Sequence, residues 1–199
     1  VETAIKEIGY VPNTLARGLR SKRTKTLALI LTDITNPYFT LMARGVEDVA
    51  GESGYTVVYC NTDESEAKED KYANILAQRQ VDGVLLVPSG GNANTINFLR
   101  SNDISVVVLD RRISGVDTDF VCSDSENSAY SLIKLLIGLG HHRIAMITGP
   151  KDVSTSVDRI SGYKQALTEA GLSEHELVYY GAFNQQSGYE LTHKAINHT

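Results

Sequence analysis

From residue 27 onward two hydrophobic rhythms alternate along the chain. Short, almost continuous apolar runs cover 27–31, 55–60, 83–87 and 105–109, with a brief one at 120–122. Such runs are the signature of strands buried on both faces. Between them apolar residues return every three to four positions, as on one face of a helix. The spacing predicts helices over 37–53 (Phe39, Met42, Val46 and Val49 inward), 64–79 (Ala67, Ile75, Leu76) and 94–102. A second group repeats the pattern: helix 127–139 with Ala129, Leu132, Ile133, Leu136 and Ile137, strand 143–148, helix 157–170, strand 177–181 and helix 186–197. Gly54, Gly140 and Gly171 stand where helix C-caps are expected. Strands alternating with helices give a parallel, right-handed α/β sheet.

The stretch 27–39 organises the rest. Five apolar residues lead to Asp33, a Thr35/Asn36 pair, Pro37 and two aromatics, Tyr38 and Phe39. Asn is a favoured N-cap and Pro a favoured first helical residue. In open α/β sheets ligands bind beyond the carboxyl ends of the strands. Asp33, Tyr38 and Phe39 are thereby expected at the lip of a ligand cleft.

Upstream, Val1, Ala4, Ile5 and Ile8 share a helical face that Gly9 ends, and Pro12 opens a second short helix over 13–20. A helix of eight residues is not stable alone in water. Residues 1–26 carry six Lys and Arg against two Glu, while the rest carry 13 against 22. A basic arm on an acidic body suits a polyanion partner for the arm, or simply a solvated linker. Apolar content of 42% in 199 residues supports a substantial core, in one large domain or two lobes. No apolar run is long enough to span a membrane, and no signal peptide opens the chain. Cys60 and Cys122 each end an apolar run and read as buried small hydrophobes in a reducing, cytoplasmic setting. His141 and His142 follow a helix end, without partners at metal-ligand spacing. There is no phosphate loop, no dinucleotide fingerprint and no nucleophile elbow. No cofactor, metal site or catalytic residue is expected. The first residue is Val, the second lobe has two clear strands, and the last helix has no return strand, so truncation at both ends is expected.

Many short motifs recur in a familiar order: Ala4-Ile5-Lys6-Glu7-Ile8-Gly9-Tyr10-Val11-Pro12-Asn13, Ala16-Arg17, Leu19, Asp33-Ile34-Thr35-Asn36-Pro37-Tyr38-Phe39, Val81-Asp82-Gly83, Leu139-Gly140-His141, and Arg159 with Gly162-Tyr163. Together they resemble the lactose-repressor/galactose-repressor family of bacterial transcription regulators along essentially the whole chain. The resemblance implies a periplasmic-binding-protein-like two-lobed core of parallel sheets flanked by helices, preceded by the remnant of an α-helical DNA-binding headpiece and a hinge helix. Residues 1–10 match the end of the headpiece and 11–23 the hinge helix and linker. The N-terminal lobe corresponds to 24–122 and an incomplete C-terminal lobe to 123–199. Where the family often has Asp-Asn followed by Gly near the lobe crossover, this chain has Asp124-Ser125 and Ser128, so that ligand contact is not carried over.

The resemblance further implies operator contacts from Asn13, Ala16, Arg17, Leu19 and Arg20. Leu19 would be the apolar wedge that parts a base step in the minor groove, or else an ordinary core leucine. Arg17 and Arg20 would position on phosphates. Effector contacts are implied for Tyr38, Phe39, Asp110, Thr155, Arg159 and Phe183. Each has a plainer reading: Phe39 also falls on a buried stripe, Asp110 has Arg111 and Arg112 beside it, Thr155 with Asp158 spaces like a capping box, and Arg159 can be a surface charge. The implied function is a DNA-binding transcriptional repressor, cytoplasmic and homodimeric through helix 37–53, with no membrane role. Its operator affinity would be controlled by a small effector, a sugar or sugar derivative, bound between the lobes. The alternative is a periplasmic-type solute-binding protein for sugar transport, which has no use for the segment 10–25.

Overall fold

The computed structural model describes residues 23–197. The helices expected over 1–8 and 13–20, and with them Asn13, Ala16, Arg17, Leu19 and Arg20, lie outside the described residues. The remainder forms two α/β lobes in sequence.

The first lobe runs β1 (Thr26–Leu31), α1 (Pro37–Glu52), β2 (Thr56–Asn61), α2 (Glu66–Gln78), β3 (Gly83–Leu86), α3 (Asn94–Ser101), β4 (Ser105–Leu109) and β5 (Asp119–Val121). Its sheet is parallel throughout, in the order β2-β1-β3-β4-β5. Side chains of a strand alternate between faces, and β1 is buried on both. Ala28 and Ile30 pack with Ala73, Leu76, Ile96 and Leu99 of α2 and α3. Leu29 and Leu31 pack with Phe39 and Ala43 of α1. The start of α1 follows the expected chemistry: Asn36 Oδ1 accepts from the Tyr38 amide at 3.0 Å, with Pro37 first in the helix.

The second lobe runs α4 (Ser125–Gly138), β6 (Ala145–Thr148), α5 (Ser154–Glu169), a 3-10 turn (Ser173–His175), β7 (Leu177–Tyr180) and α6 (Gln185–Asn197). β6 and β7 pair in parallel. Ile133, Ile144, Tyr163, Ala166 and Leu167 form its core. The buried Tyr163 hydroxyl donates to the Ile144 carbonyl at 2.7 Å and accepts from the Leu177 amide at 2.9 Å, so its polar atom does not go unpaired. At Gly162 of α5 an added methyl would collide with the backbone of Glu126 and Tyr130 in α4; the missing side chain lets the two helices touch.

Several expectations are corrected. Helix α5 begins at Ser154, so Thr155 lies in its first turn and not in a loop. The capping box does not form: Val153 is the N-cap, and Asp158 instead holds Arg112. Helix α4 starts at Ser125 because the Asp124 carboxylate accepts from the Asn127 amide and caps it there. Cys122 is exposed, not buried. Val49 and Leu132 keep helical spacing with buried neighbours but remain exposed. The C-cap glycines are as expected: Gly54, Gly140 and Gly171 all have positive φ. Among the described residues no helix is long and apolar enough to cross a membrane.

Candidate functional site

In the order 2-1-3-4-5 the direction of winding reverses between β1 and β3, and ligands of such sheets collect beyond the carboxyl ends at that reversal. The loop after β1 opens there. The loop after β1 is built around Asp33, whose Oδ1 accepts from the Thr35 amide at 2.8 Å and the Thr35 hydroxyl at 2.7 Å. The second lobe faces it with the ends of β6 and β7. Between the lobes lies a cleft of about 670 Å³, lined by Asp33, Thr35 and Asn36 on one side and Thr148, Arg159 and Phe183 on the other. That volume is in the usual range for small-molecule sites.

Phe183 is carried past the end of β7, and its ring lies on the backbone of Gly149, where any side chain would overlap it. Its other neighbour belongs to the first lobe: the Arg111 guanidinium sits 5.6 Å from the ring centroid. Arg111 is itself only 5% exposed. It is fixed by a two-pronged pair with Glu64 (2.6 Å to each oxygen) and a 3.1 Å hydrogen bond to the Pro88 carbonyl. Arg112 also bridges the lobes. Its amide donates to Ser154 Oγ at 2.9 Å, and its guanidinium donates to Asp158 at 2.5 Å.

Next to Pro37 of the cleft wall, Tyr38 donates its hydroxyl to Asp110 Oδ1 at 2.9 Å. Asp110 is 7% exposed and has a left-handed backbone (φ 62), held by its amide on the Val121 carbonyl at 2.8 Å. Such strain persists only where the surroundings fix it, and it clusters at functional sites. Burial, then the charge of Asp110, push the Tyr38 phenol up to about 12, against a weaker opposing pull from Arg159 across the cleft. Tyr38 is therefore a hydrogen-bond donor throughout the neutral range. Arg159 makes no ion pair among the described residues. The Thr148 hydroxyl on the cleft wall is buried without a hydrogen-bond partner.

Of the residues singled out in the sequence, Arg159 and Phe183 line the cleft; Tyr38 and Asp110 bond to each other, but neither lines the cleft. Phe39 does not reach it: at 3% exposure it is a core residue of the first lobe, with its ring against the Tyr38 edge. Thr155 is buried in α5 and does not line the cleft either. The sequence reading missed Glu64 as the partner of Arg111 and Asp158 as that of Arg112. Those pairs join residues 47 and 46 positions apart, which no local spacing reveals. Among the described residues no cluster of three or more His, Cys, Asp or Glu could hold a metal ion.

The family profile described as periplasmic binding proteins and sugar binding domain of LacI family matches residues 24–199. The chain belongs to the LacI family of bacterial transcriptional regulators. Its core is accordingly a periplasmic-binding-protein-like pair of α/β lobes. It is 35% identical to the HTH-type transcriptional regulator RegA of Clostridium saccharobutylicum, over 94% of this chain and 57% of that protein. It is 33% identical to the HTH-type transcriptional repressor PurR of Aliivibrio salmonicida, over 97% and 59%. Among solved structures it resembles the transcriptional regulator CelR in complex with cellobiose, with a TM-score of 0.77 and 31% identity over 98% of this chain and 60% of that one. It also resembles CcpA of Lactococcus lactis, with a TM-score of 0.79 and 29% identity over 87% and 64%. The chain thus spans less than two thirds of each of these relatives.

Proposed function

We propose that this LacI-family chain is the effector-binding part of a DNA-binding transcriptional repressor, and that its effector is a neutral, hydroxyl-rich small molecule such as a sugar. The observation that carries this reading is the charge and hydrogen-bonding balance of the cleft. Of the three arginines around it, Arg111 is committed to Glu64 and Arg112 to Asp158. Arg159 lines the cleft across from Asp33 with no ion pair among the described residues, and the Asp110 carboxylate lies 3.9 Å from Arg111 Nε. Ionised carboxylates only accept hydrogen bonds, so they suit hydroxyl donors and repel phosphates. Arg159 and the unpartnered Thr148 hydroxyl supply donors for ring and hydroxyl oxygens, while the Tyr38 proton is taken by Asp110 and leaves the phenol oxygen as an acceptor. Phe183 offers a flat apolar face, as sugar rings need. The cellobiose bound by the related CelR supports the same class. The contacts we assign are Tyr38, Asp110, Arg159 and Phe183.

Effector binding changes the angle between the lobes, and that angle sets how two hinge segments, residues 11–23 of each protomer, meet over the operator. The exposed side of α1, with Leu41 and Val49, supplies the face on which two protomers pair. The names of the relatives favour regulation over the transport alternative.

The test uses the full-length protein and a duplex that it selects from a random pool. A sugar that binds the cleft shifts operator affinity by about 5- to 150-fold, the usual range of coupling between two sites. Leu19→Ala weakens operator binding and leaves sugar affinity unchanged. A sugar that binds without moving operator affinity contradicts the reading.

A further inference from the structure

The buried Arg111 guanidinium has its charge balanced by a carboxylate from a different loop. Glu64 follows β2, and its two oxygens each take a guanidinium nitrogen at 2.6 Å. The Arg111 side chain is 6% exposed, that of Glu64 42%. The backbone here is left-handed at two successive residues that carry side chains, Asp63 (φ 52) and Glu64 (φ 57). Glycine takes that conformation with less strain, so with other residues the surroundings must hold it. They do: the Glu64 amide donates to the Thr32 carbonyl at 3.1 Å, and the Thr62 amide to the Leu31 carbonyl at 2.8 Å. Glu64 is thereby fastened to the residue just before Asp33 of the cleft wall.

Arg111 also meets two other groups. Asp110 Oδ2 lies 3.9 Å from its Nε, and the centroid of Phe183, a cleft residue, 5.6 Å from its guanidinium carbon. The formal charges of Glu64, Arg111 and Asp110 sum to −1; without Glu64 they sum to zero. We propose that Glu64 is a specificity-determining residue: its charge, set beside Arg111, makes the cleft prefer a neutral sugar to an anionic one. The proposal rests on the reading of the cleft as a sugar site and adds the residue that sets its charge preference. Arg111 stays cationic at any ordinary pH, and the Pro88 carbonyl still accepts from it at 3.1 Å when Glu64 is neutral. Neutralising Glu64 therefore changes charge more than shape. A sugar in van der Waals contact with Phe183, about 3.5–4 Å away, lies within about 10–14 Å of the Glu64 carboxylate. At that range one unit charge changes the affinity of a monoanion by about 2- to 10-fold, between the dielectric of water and that near a protein surface.

The experiment compares the wild type with Glu64→Gln, which keeps the shape and loses the charge, and with Glu64→Asp, which keeps the charge. Calorimetry reads affinities for matched pairs (glucose, fructose, ribose and trehalose, each beside its monophosphate) at about 0.01 M and about 1 M salt, with a thermal melt of each protein. In Glu64→Gln the ratio of neutral-sugar to sugar-phosphate affinity falls about 2- to 10-fold for each phosphate charge. The change fades at about 1 M salt, where charges are screened beyond about 3 Å. Glu64→Asp keeps the wild-type ratio even where its melting temperature drops. A purely structural tie between Glu64 and Arg111 would instead weaken both members of a pair by one factor at either salt concentration, and that result overturns the proposal. So does a ratio that Glu64→Gln leaves unchanged. A wild type that prefers the phosphates overturns the neutral-sugar reading, while a phosphate affinity that rises further in Glu64→Gln still supports the role of Glu64. A wild type that binds no member of the panel overturns both.

Discussion

A single methyl group separates the contribution of the cleft from that of the fold. At Gly149 the backbone is not in the left-handed region, so alanine is conformationally acceptable there. Its Cβ would nevertheless stand closer than 3.0 Å to the far edge of the Phe183 ring. The ring must move, and it can, because it ends in the open cleft. Moving it removes the stack on Arg111, whose guanidinium is desolvated. A cation–π contact of that kind contributes about 1–2 kcal/mol. The ring also leaves the surface that the effector would cover. Gly149→Ala should therefore lower stability by about 1–2 kcal/mol through the lost cation–π contact, and weaken effector binding by about 0.5–1.5 kcal/mol through the lost aromatic face, about 2- to 13-fold. Titration calorimetry with a cleft-binding sugar, beside thermal melts of both proteins, reads the two effects separately. Unchanged sugar affinity in Gly149→Ala would show that Phe183 is not part of the site. A large loss of melting temperature would show that the ring holds the second lobe together instead.

Gly162→Ala is the converse. Its Cβ meets the backbone of α4, including the Tyr130 nitrogen at 2.8 Å, which cannot swing aside; overpacking of this kind costs about 1–3 kcal/mol, seen as a lowered melting temperature. Arg159→Ala should lose effector affinity by about 2–5 kcal/mol while the melt without effector is nearly unchanged, since this half-buried arginine makes no ion pair among the described residues; calorimetry and melts check both. Raising the pH should leave effector affinity level through tyrosine's ordinary 10.0 and lower it only towards about 12, because burial and Asp110 keep Tyr38 protonated and losing that proton breaks the bond that holds Tyr38 and Asp110 together. Calorimetry across alkaline pH, with a Tyr38→Phe control that lacks the dependence, tests this.

How much of this was legible in the residues depended on distance along the chain. Local chemistry could be read directly. The five apolar residues of β1, the Asn36–Pro37 entry to α1 and the glycines after α1, α4 and α5 each express their structure within four or five positions. The placement of Asp110 at a strand end and of Arg159 near a helix start followed from the same local signals, helped by the family resemblance. Helical spacing also marked Phe39 as core, and that plainer reading is the one the structure supports. Spacing could not say what covers a stripe, which is why Val49 and Leu132 look buried in the sequence and are not. The long-range features were silent. Nothing in Arg111 or Arg112 announces Glu64 or Asp158, and the Asp82 carboxylate accepts from the Thr24 and Lys25 amides 58 and 57 positions away. The left-handed backbone at Asp110 is held by its amide on the Val121 carbonyl, a contact with another strand that no local motif could predict.

The central claim is that the cleft takes a neutral sugar. The most direct test is a thermal-shift screen of this chain against neutral mono- and disaccharides, sugar phosphates and purines. A ligand at about 100 times its dissociation constant adds about 2.7 kcal/mol, which raises the melting temperature of a protein this size by about 5–10 °C. The account predicts a shift of that size from at least one neutral sugar, abolished by Arg159→Ala. A panel in which only phosphorylated or purine ligands shift the melt, or in which Arg159→Ala leaves the shift in place, would contradict it.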